Sequence, residues 1–151
     1  MRSKFLFLTL VSGVVLCASA ANADQVAKGN NFVINSAAGS CIANAECKVD
    51  LKLEAQNGFH VNKEYPYKFK ATPASGVTFL GHDSAGAETF SKAAGDFTLD
   101  ASNEKLGTMT IKFKSANKGA VSIAGVFKLS VCSAQNCQME SANITVPFTV
   151  H

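Results

Sequence analysis

The sequence has 151 residues, with 14 Lys and Arg residues against 11 Asp and Glu residues, and five cysteines. Its formal net charge of +3, without a basic stripe, gives no indication of a nucleic-acid partner or of an anionic membrane surface. A chain of this length can bury an adequate core as one domain without metal or disulfide links.

The N-terminus has the pattern of a secretory signal peptide. Arg2 and Lys4 precede an apolar run over residues 5–16, which is too short to span a membrane. Ala21 and Ala23 then supply the small residues of a cleavage site. We therefore expect residues 1–23 to be removed on export and no membrane span to remain.

Cleavage after Ala23 leaves residues 24–151 as one mature domain, which we expect to be periplasmic or secreted. Its twelve Lys residues nearly balance its eleven acidic residues. Cys17 leaves with the signal peptide in this interpretation. A lipid-modified Cys17 is the alternative, although Leu16 stands where a small residue is usual before such a cysteine.

Apolar and polar residues alternate with a period of two along much of the mature chain, which predicts β-strands. In the clearest example, Val49, Leu51 and Leu53 alternate with Lys and acidic residues. The predicted strands cover residues 31–35, 48–55, 65–71, 77–80, 97–99, 108–114, 121–131 and 144–150. Residues 81–96, rich in Gly, Ala and Ser, are predicted to form a mobile loop.

This spacing of strands predicts an all-β fold, an antiparallel β-sandwich of seven or eight strands. Asn57 and Gly58 mark a tight turn after the strand at residues 48–55. Pro66 restricts the next strand to an edge of its sheet, or lies among that strand's first residues.

The last two predicted strands form a hairpin whose register follows from the sequence. If residues 133–136 form the loop, Cys132 opposes Cys137 and Ile123 opposes Val146. The apolar faces of the two strands then coincide, as they must because opposed residues share a face. The same register puts both cysteines on the polar face near the hairpin tip, where we expect an accessible and easily reduced disulfide.

Export makes disulfides the default state of the four mature cysteines. Their spacing suggests two local pairs, Cys41 with Cys47 and Cys132 with Cys137, although three connectivities exist. Closing six or seven residues contributes only about 2 kcal/mol in the loop-entropy model, so such pairs would be weak structural clips. Tetrahedral zinc ligation by all four thiolates is a further alternative, with looser spacing than is usual.

The sequence has no Gly-rich phosphate loop and no G-x-S-x-G motif, so we expect no cofactor. His60, His82 and His151 are scattered rather than paired, and we expect no metal. We interpret His60 as a hydrogen-bonded loop histidine, with a metal ligand or an imidazole near the cysteines as alternatives. His82 is predicted to lie in a solvated turn.

Two segments of the sequence resemble a known family. Residues 58–62, Gly-Phe-His-Val-Asn, followed by Tyr65-Pro66, resemble the early part of the N-terminal periplasmic domain of the thiol:disulfide interchange protein DsbD. Residues 127–132, Phe-Lys-Leu-Ser-Val-Cys, with Cys137, resemble the cysteine hairpin near the end of that domain. The resemblance spans most of the mature chain and implies an immunoglobulin-like sandwich.

In that family the cysteine pair passes electrons from a membrane-embedded domain to periplasmic thioredoxin-like proteins. The resemblance therefore implies that Cys132 and Cys137 form a catalytic redox pair. It also implies a thioredoxin-like protein or a membrane thiol-disulfide reductase as partner. Residues 138–139 depart from the prolines usual after the second cysteine, and the pair at 41 and 47 has no counterpart there.

Two hypotheses of different classes follow. The first is a periplasmic thiol-disulfide exchange module that acts through Cys132 and Cys137. The second is a non-catalytic secreted β-sandwich that binds a partner, with Cys41–Cys47 and Cys132–Cys137 as structural disulfides. The sequence shows no Lys, His or helix N-terminus beside Cys132 or Cys137 to activate a thiol, which counts against the first.

Overall fold

A computed structural model describes residues 23–151, which form twelve β-strands and no helix, and thus no helix that could cross a membrane. The predicted signal peptide lies outside the described residues, except for Ala23, the first residue of β1. The strands are β1 (Ala23–Lys28), β2 (Phe32–Ala37), β3 (Gly39–Cys41), β4 (Cys47–Ala55), β5 (His60–Val61), β6 (Lys68–Ala71), β7 (Val77–Phe79), β8 (Thr89–Ser91), β9 (Phe97–Leu99), β10 (Leu106–Ser115), β11 (Gly119–Cys132) and β12 (Cys137–Val150).

The strands form two six-stranded sheets that pack on a common core. Sheet A has the order β1-β2-β4-β10-β7, with β9 also paired to β10. Sheet B has the order β3-β12-β11-β6-β8, with β5 also paired to β11. All pairings are antiparallel except that of β3 with β12. The predicted all-β antiparallel sandwich is confirmed.

Each of the eight predicted strands has a counterpart in the structure, and four strands were not predicted: β1, β3, β5 and β8. Three of these four are only two or three residues long, too short to show an alternation. Strand β8 corrects the interpretation of residues 81–96 as a loop throughout. Its three residues are buried and pair with β6.

Strand β4 shows how the alternation of the sequence sets the core. Val49, Leu51 and Leu53 are buried, whereas Lys48 and Lys52 are exposed. Strand β10 pairs with β4 over eight residues, and its apolar residues therefore line the same face of sheet A. The predicted burial pattern of this strand is confirmed.

Aromatic contacts join the two sheets across the core. Phe113 of β10 packs edge-on against Phe148 of β12, with ring centroids 5.1 Å apart. Tyr67, just before β6, stacks on Phe97 of β9 at 3.9 Å. Such pairs stabilise a core beyond the area they bury, and the second one supports the end of the sandwich where the cysteine hairpin lies.

Strands β11 and β12 form a long hairpin of fourteen opposed pairs, from Gly119 with Val150 to Cys132 with Cys137. The register predicted from the sequence is confirmed along its whole length. Strand β3 pairs in parallel with residues 148–150 alone. Strand β12 is therefore held mainly by β11, and its outer edge near Cys137 has no paired strand within the described chain.

Candidate functional site

The hairpin tip carries the Cys132–Cys137 disulfide, with the two Cα atoms 4.0 Å apart. The backbone N–H of Ser133 donates to the carbonyl of Asn136 at 2.8 Å. The Ser133 hydroxyl accepts hydrogen bonds from the N–H groups of Gln135 and Asn136, both at 3.2 Å. The predicted four-residue loop therefore satisfies its own polar groups and holds the two cysteines in register.

The two cysteines of this pair differ in exposure. Both lie on the outer face of sheet B, as the register predicts, but Cys132 is only 5% exposed whereas Cys137 is exposed. Cys132 lies in β11, between β12 and β5, whereas Cys137 lies in β12 at the free edge of the sheet. An approaching molecule therefore meets Cys137 first.

His60 is the residue opposite Cys132 on the side away from Cys137. Strand β5 pairs His60 with Cys132 and Val61 with Val131. Val61 is buried in the core, which puts the half-buried His60 on the outer face together with both cysteines. The interpretation of His60 as a loop histidine is wrong, because it is a strand residue beside the cysteine pair.

A tight turn explains how β5 reaches this place. Asn57 and Gly58 both have positive φ, 54° and 80°, and the N–H of Phe59 donates to the carbonyl of Gln56 at 3.0 Å. Two successive positive φ values define the type of turn that an Asn-Gly pair favours. This turn reverses the chain at the end of β4 and brings residues 60–61 alongside β11.

Hydrogen bonds to Ser130 hold the segment after β5 against β11. The Asn62 N–H donates to the Ser130 carbonyl at 3.1 Å, and its side-chain amide donates to the Ser130 hydroxyl at 3.3 Å. The Tyr67 hydroxyl also donates to the Ser130 carbonyl, at 2.6 Å. Burial raises the pKa of Tyr67 well above its ordinary value, so this hydroxyl stays a donor. The hydrogen bonds between Asn62 and Ser130 lie two residues after His60 and two residues before Cys132, and they hold His60 opposite Cys132.

The second disulfide joins Cys41 to Cys47, with the Cα atoms 5.7 Å apart. Cys41 ends β3 in sheet B, and Cys47 begins β4 in sheet A, so this bond links the two sheets. His151 and Cys41 are also joined, because the His151 N–H donates to the Cys41 carbonyl at 2.8 Å. Because all four cysteines are in local disulfides, the zinc alternative is wrong.

The other histidines lie apart from the Cys132–Cys137 pair. His82 and His151 are exposed, and His82 lies in the segment between β7 and β8. Within residues 23–151, no group of three or more His, Cys, Asp and Glu side chains is placed to hold a metal ion.

A groove of about 250 Å³ lies on the outer face of sheet B. It is lined by Lys68, Lys70, Ala85, Thr89, Val126 and Lys128. Lys68 pairs with Asp83 at 3.6 Å and Lys70 with Glu88 at 3.8 Å. A hydrogen bond from the Ser91 side chain lowers the pKa of Asp83, and the Ala85 N–H and Lys68 act in the same direction. The groove therefore has an apolar floor and a rim whose charges are largely balanced.

Sequence reasoning placed Cys132 opposite Cys137 correctly, but it gave a position near the cysteines only as an alternative for His60. Its neighbours offered no signal, because a two-residue strand has no measurable period and its partner lies some seventy residues away. Its place beside Cys132 is therefore a finding of the structure.

Comparisons with known proteins found few similarities. No family model matches this chain, and no curated protein matches it. Among solved structures, it is similar to AggA, the major subunit of aggregative adherence fimbriae type I from Escherichia coli. The two are 9% identical, the alignment covers 85% of this chain and 99% of the other, and the TM-score is 0.38. A score this low defines neither a common fold family nor a common function.

Proposed function

We propose that this protein is a non-catalytic β-sandwich of the periplasm or extracellular space that binds a protein partner and uses both disulfides as structural links. The supporting observation is the position of the cysteines. Cys47 and Cys132, one in each pair, are buried, and Cys41–Cys47 connects the two sheets. Two disulfides also fit an oxidising compartment.

The outer face of sheet B is the surface that we propose for binding. Met139 is 75% exposed and Val126 is 36% exposed, and the hairpin register puts both on this face. Lys128 lies between them along the hairpin. Covering exposed apolar side chains stabilises a complex, and methionine adapts well to differently shaped partners. We expect a partner surface with apolar residues and a carboxylate opposite Lys128.

A second candidate function is thiol-disulfide exchange, which is favoured by the exposure of Cys137 and the position of His60. In the first half of this reaction the pair is reduced: a thiolate of a membrane thiol-disulfide reductase attacks the Cys137 sulfur. The Cys137–Cys132 bond breaks, a mixed disulfide forms on Cys137, and Cys132 leaves as a thiolate that takes up a proton. The partner's second thiol then resolves the mixed disulfide and leaves this chain as the dithiol. In the second half a thiolate of this chain attacks the disulfide of a thioredoxin-like partner, the partner is reduced to its dithiol, and the Cys132–Cys137 bond forms again. This direction, from the membrane reductase to the thioredoxin-like partner, is the one that the resemblance to the DsbD domain implies.

A redox titration separates the two functions. Thiol labelling across a series of thiol-disulfide buffers, followed by peptide mapping, measures the potential of each pair. Structural roles predict that both pairs stay oxidised to below about −300 mV. Exchange predicts that the Cys132–Cys137 disulfide is reduced at a potential well above that value, while the Cys41–Cys47 disulfide stays oxidised.

Trapping variants identify the sulfur that would react. Cys132→Ala leaves a free thiol on exposed Cys137, and exchange predicts that it accumulates a mixed disulfide with a thioredoxin-like protein supplied in its disulfide form. The matched control, Cys137→Ala, leaves the buried Cys132 and should accumulate much less. The absence of a mixed disulfide in both variants would favour the structural role.

The binding surface is tested by paired substitutions. Met139→Glu and Val126→Glu should reduce recovery of the partner from a periplasmic extract, whereas Thr149→Glu, exposed at the far end of β12, should not. Equal recovery by all three variants would contradict a binding site on this part of sheet B.

A further inference from the structure

We infer that His60 is the acid–base partner of the Cys132 thiol, which protonates the Cys132 sulfur and stabilises its thiolate when the Cys132–Cys137 bond opens. This inference rests on the second of the two proposed functions. It assigns a specific role to a residue outside the cysteine pair.

The geometry puts Cys132 between two cross-strand neighbours on one face. Cys137 opposes it from β12, and His60 opposes it from β5. Directly opposed residues in antiparallel strands have Cβ atoms roughly 4.5–5.5 Å apart. An imidazole attached at this distance is long enough to reach the neighbouring sulfur. The sulfur released from Cys137 therefore has His60 on its other side.

Burial makes this neighbour necessary for the chemistry. Cys132 is 5% exposed, and an apolar, dehydrated setting favours the neutral thiol over the thiolate. A thiol of high pKa is a poor leaving group in disulfide exchange. A protonated imidazole beside the sulfur acts in the opposite direction, as in other activated cysteines. Imidazole is also the side chain that exchanges protons near neutral pH.

The partner dithiol supplies both electrons that reduce the Cys132–Cys137 bond, so no other reductant is needed. Its thiolate forms a bond to the Cys137 sulfur, and the electron pair of the Cys132–Cys137 bond moves to Cys132. The imidazolium of His60 gives its proton to that sulfur and regains one from water. The second thiolate of the partner then attacks the partner's own sulfur in the mixed disulfide, the partner becomes a disulfide, and Cys137 leaves as a thiolate that takes up a proton.

The other charged residues near the hairpin tip are not paired with Cys132. Lys128 lies four residues along β11 on the same face, and Glu140 opposes Leu129 on the other face. Glu104 flanks β5 through its backbone carbonyl, which accepts the Val61 N–H at 2.9 Å. Lys63 and Glu64 follow Asn62 and are exposed. Of these titratable residues, only His60 is paired directly with Cys132 by the sheet.

The test isolates the Cys132 thiol in the Cys137→Ala variant and follows thiolate formation with pH by ultraviolet absorbance and by alkylation rate. His60→Phe and His60→Gln are each added to this background. We expect both to raise the pKa of Cys132 by about one unit, which is tenfold less thiolate at a given pH below it. His82→Gln, in the exposed segment before β8, is the control and should leave the titration unchanged.

The results distinguish this inference from the exchange function itself. If the Cys132 thiol titrates identically in the Cys137→Ala protein and after the further substitutions His60→Phe and His60→Gln, the role of His60 is overturned. This holds whatever potential the disulfide has. A raised pKa in both variants supports it. A Cys132–Cys137 pair that stays oxidised in the buffers that leave structural disulfides intact would remove exchange as a function, and the separate redox titration measures this. An intact Cys41–Cys47 disulfide and cooperative unfolding show that each variant is folded. If the phenylalanine ring of His60→Phe does not fit, His60→Gln provides the test.

Discussion

The two disulfides close loops of nearly the same length but occupy different positions in the sandwich. Their sequence separations are six residues for Cys41–Cys47 and five for Cys132–Cys137. Loop entropy therefore assigns each a similar stabilisation, about 2 kcal/mol. The first crosses from sheet B to sheet A, whereas the second joins two neighbours in a single sheet.

This difference in position decides how much each bond adds to the fold. Strand β3, which carries Cys41, is paired by only three residues of β12, so its disulfide supplies a connection that the sheet lacks. Cys132 and Cys137 end a ladder of fourteen pairs and repeat a connection that already exists. A disulfide that the fold does not depend on is the one that can open and close without unfolding the protein.

The largest effect should come from the core between the sheets, beyond what either disulfide contributes. Leu51→Ala removes a fully buried side chain from β4 and should cost about 2–5 kcal/mol in the free energy of unfolding. Lys52→Ala, the exposed neighbour, should change it by less than about 0.5 kcal/mol. Urea unfolding with both disulfides intact measures the two. Similar losses at both positions would refute the assigned faces of β4.

Removing each disulfide tests the comparison directly. The double variant Cys41→Ala with Cys47→Ala should lose about 2 kcal/mol and free β3 to fray, which hydrogen exchange of residues 39–41 would detect. The double variant Cys132→Ala with Cys137→Ala should lose less, because a local hairpin retained in the unfolded chain weakens the entropic gain. The reverse order of stabilities would show that the hairpin needs its disulfide more than the junction between sheets does.

The smallest effect concerns the hairpin loop. Ser133→Ala removes the hydroxyl that accepts two backbone N–H groups and should cost less than about 1 kcal/mol, since these bonds are exposed to water. Ser141→Ala, exposed in β12, provides the control. Thermal unfolding compares them. A loss from Ser133→Ala as large as that from the hairpin cysteines would mean that the loop, not the ladder, sets the register.

The register of the hairpin was predictable because both strands must place their apolar residues on the same face of the sheet. A shift of one residue would turn Ile123 or Val146 to the wrong face, so the apolar pattern excludes every odd shift. The four-residue loop then selects the pairing of Cys132 with Cys137. The same reasoning predicted β4 and β10, which are long enough to show several alternations.

Short strands and their partners were not predictable. Strand β5 has two residues, and its pairing with β11 depends on the whole sandwich rather than on local sequence. For the same reason His60 was assigned to a loop. The burial of Cys132 was also missed, because alternation assigns a residue to a face but does not reveal what covers that face.

The parallel pairing of β3 with β12 has a consequence for the order of folding. Strand β3 lies near the beginning of the described chain, and its partner residues 148–150 are more than a hundred positions later. Long-range contacts of this kind slow folding, since the intervening chain must first be ordered. Sheet B therefore closes late, whereas cysteines five or six positions apart meet at once in an unfolded chain. Oxidation can precede assembly, so both disulfides can be formed by an oxidant that acts on the nascent, still unstructured polypeptide.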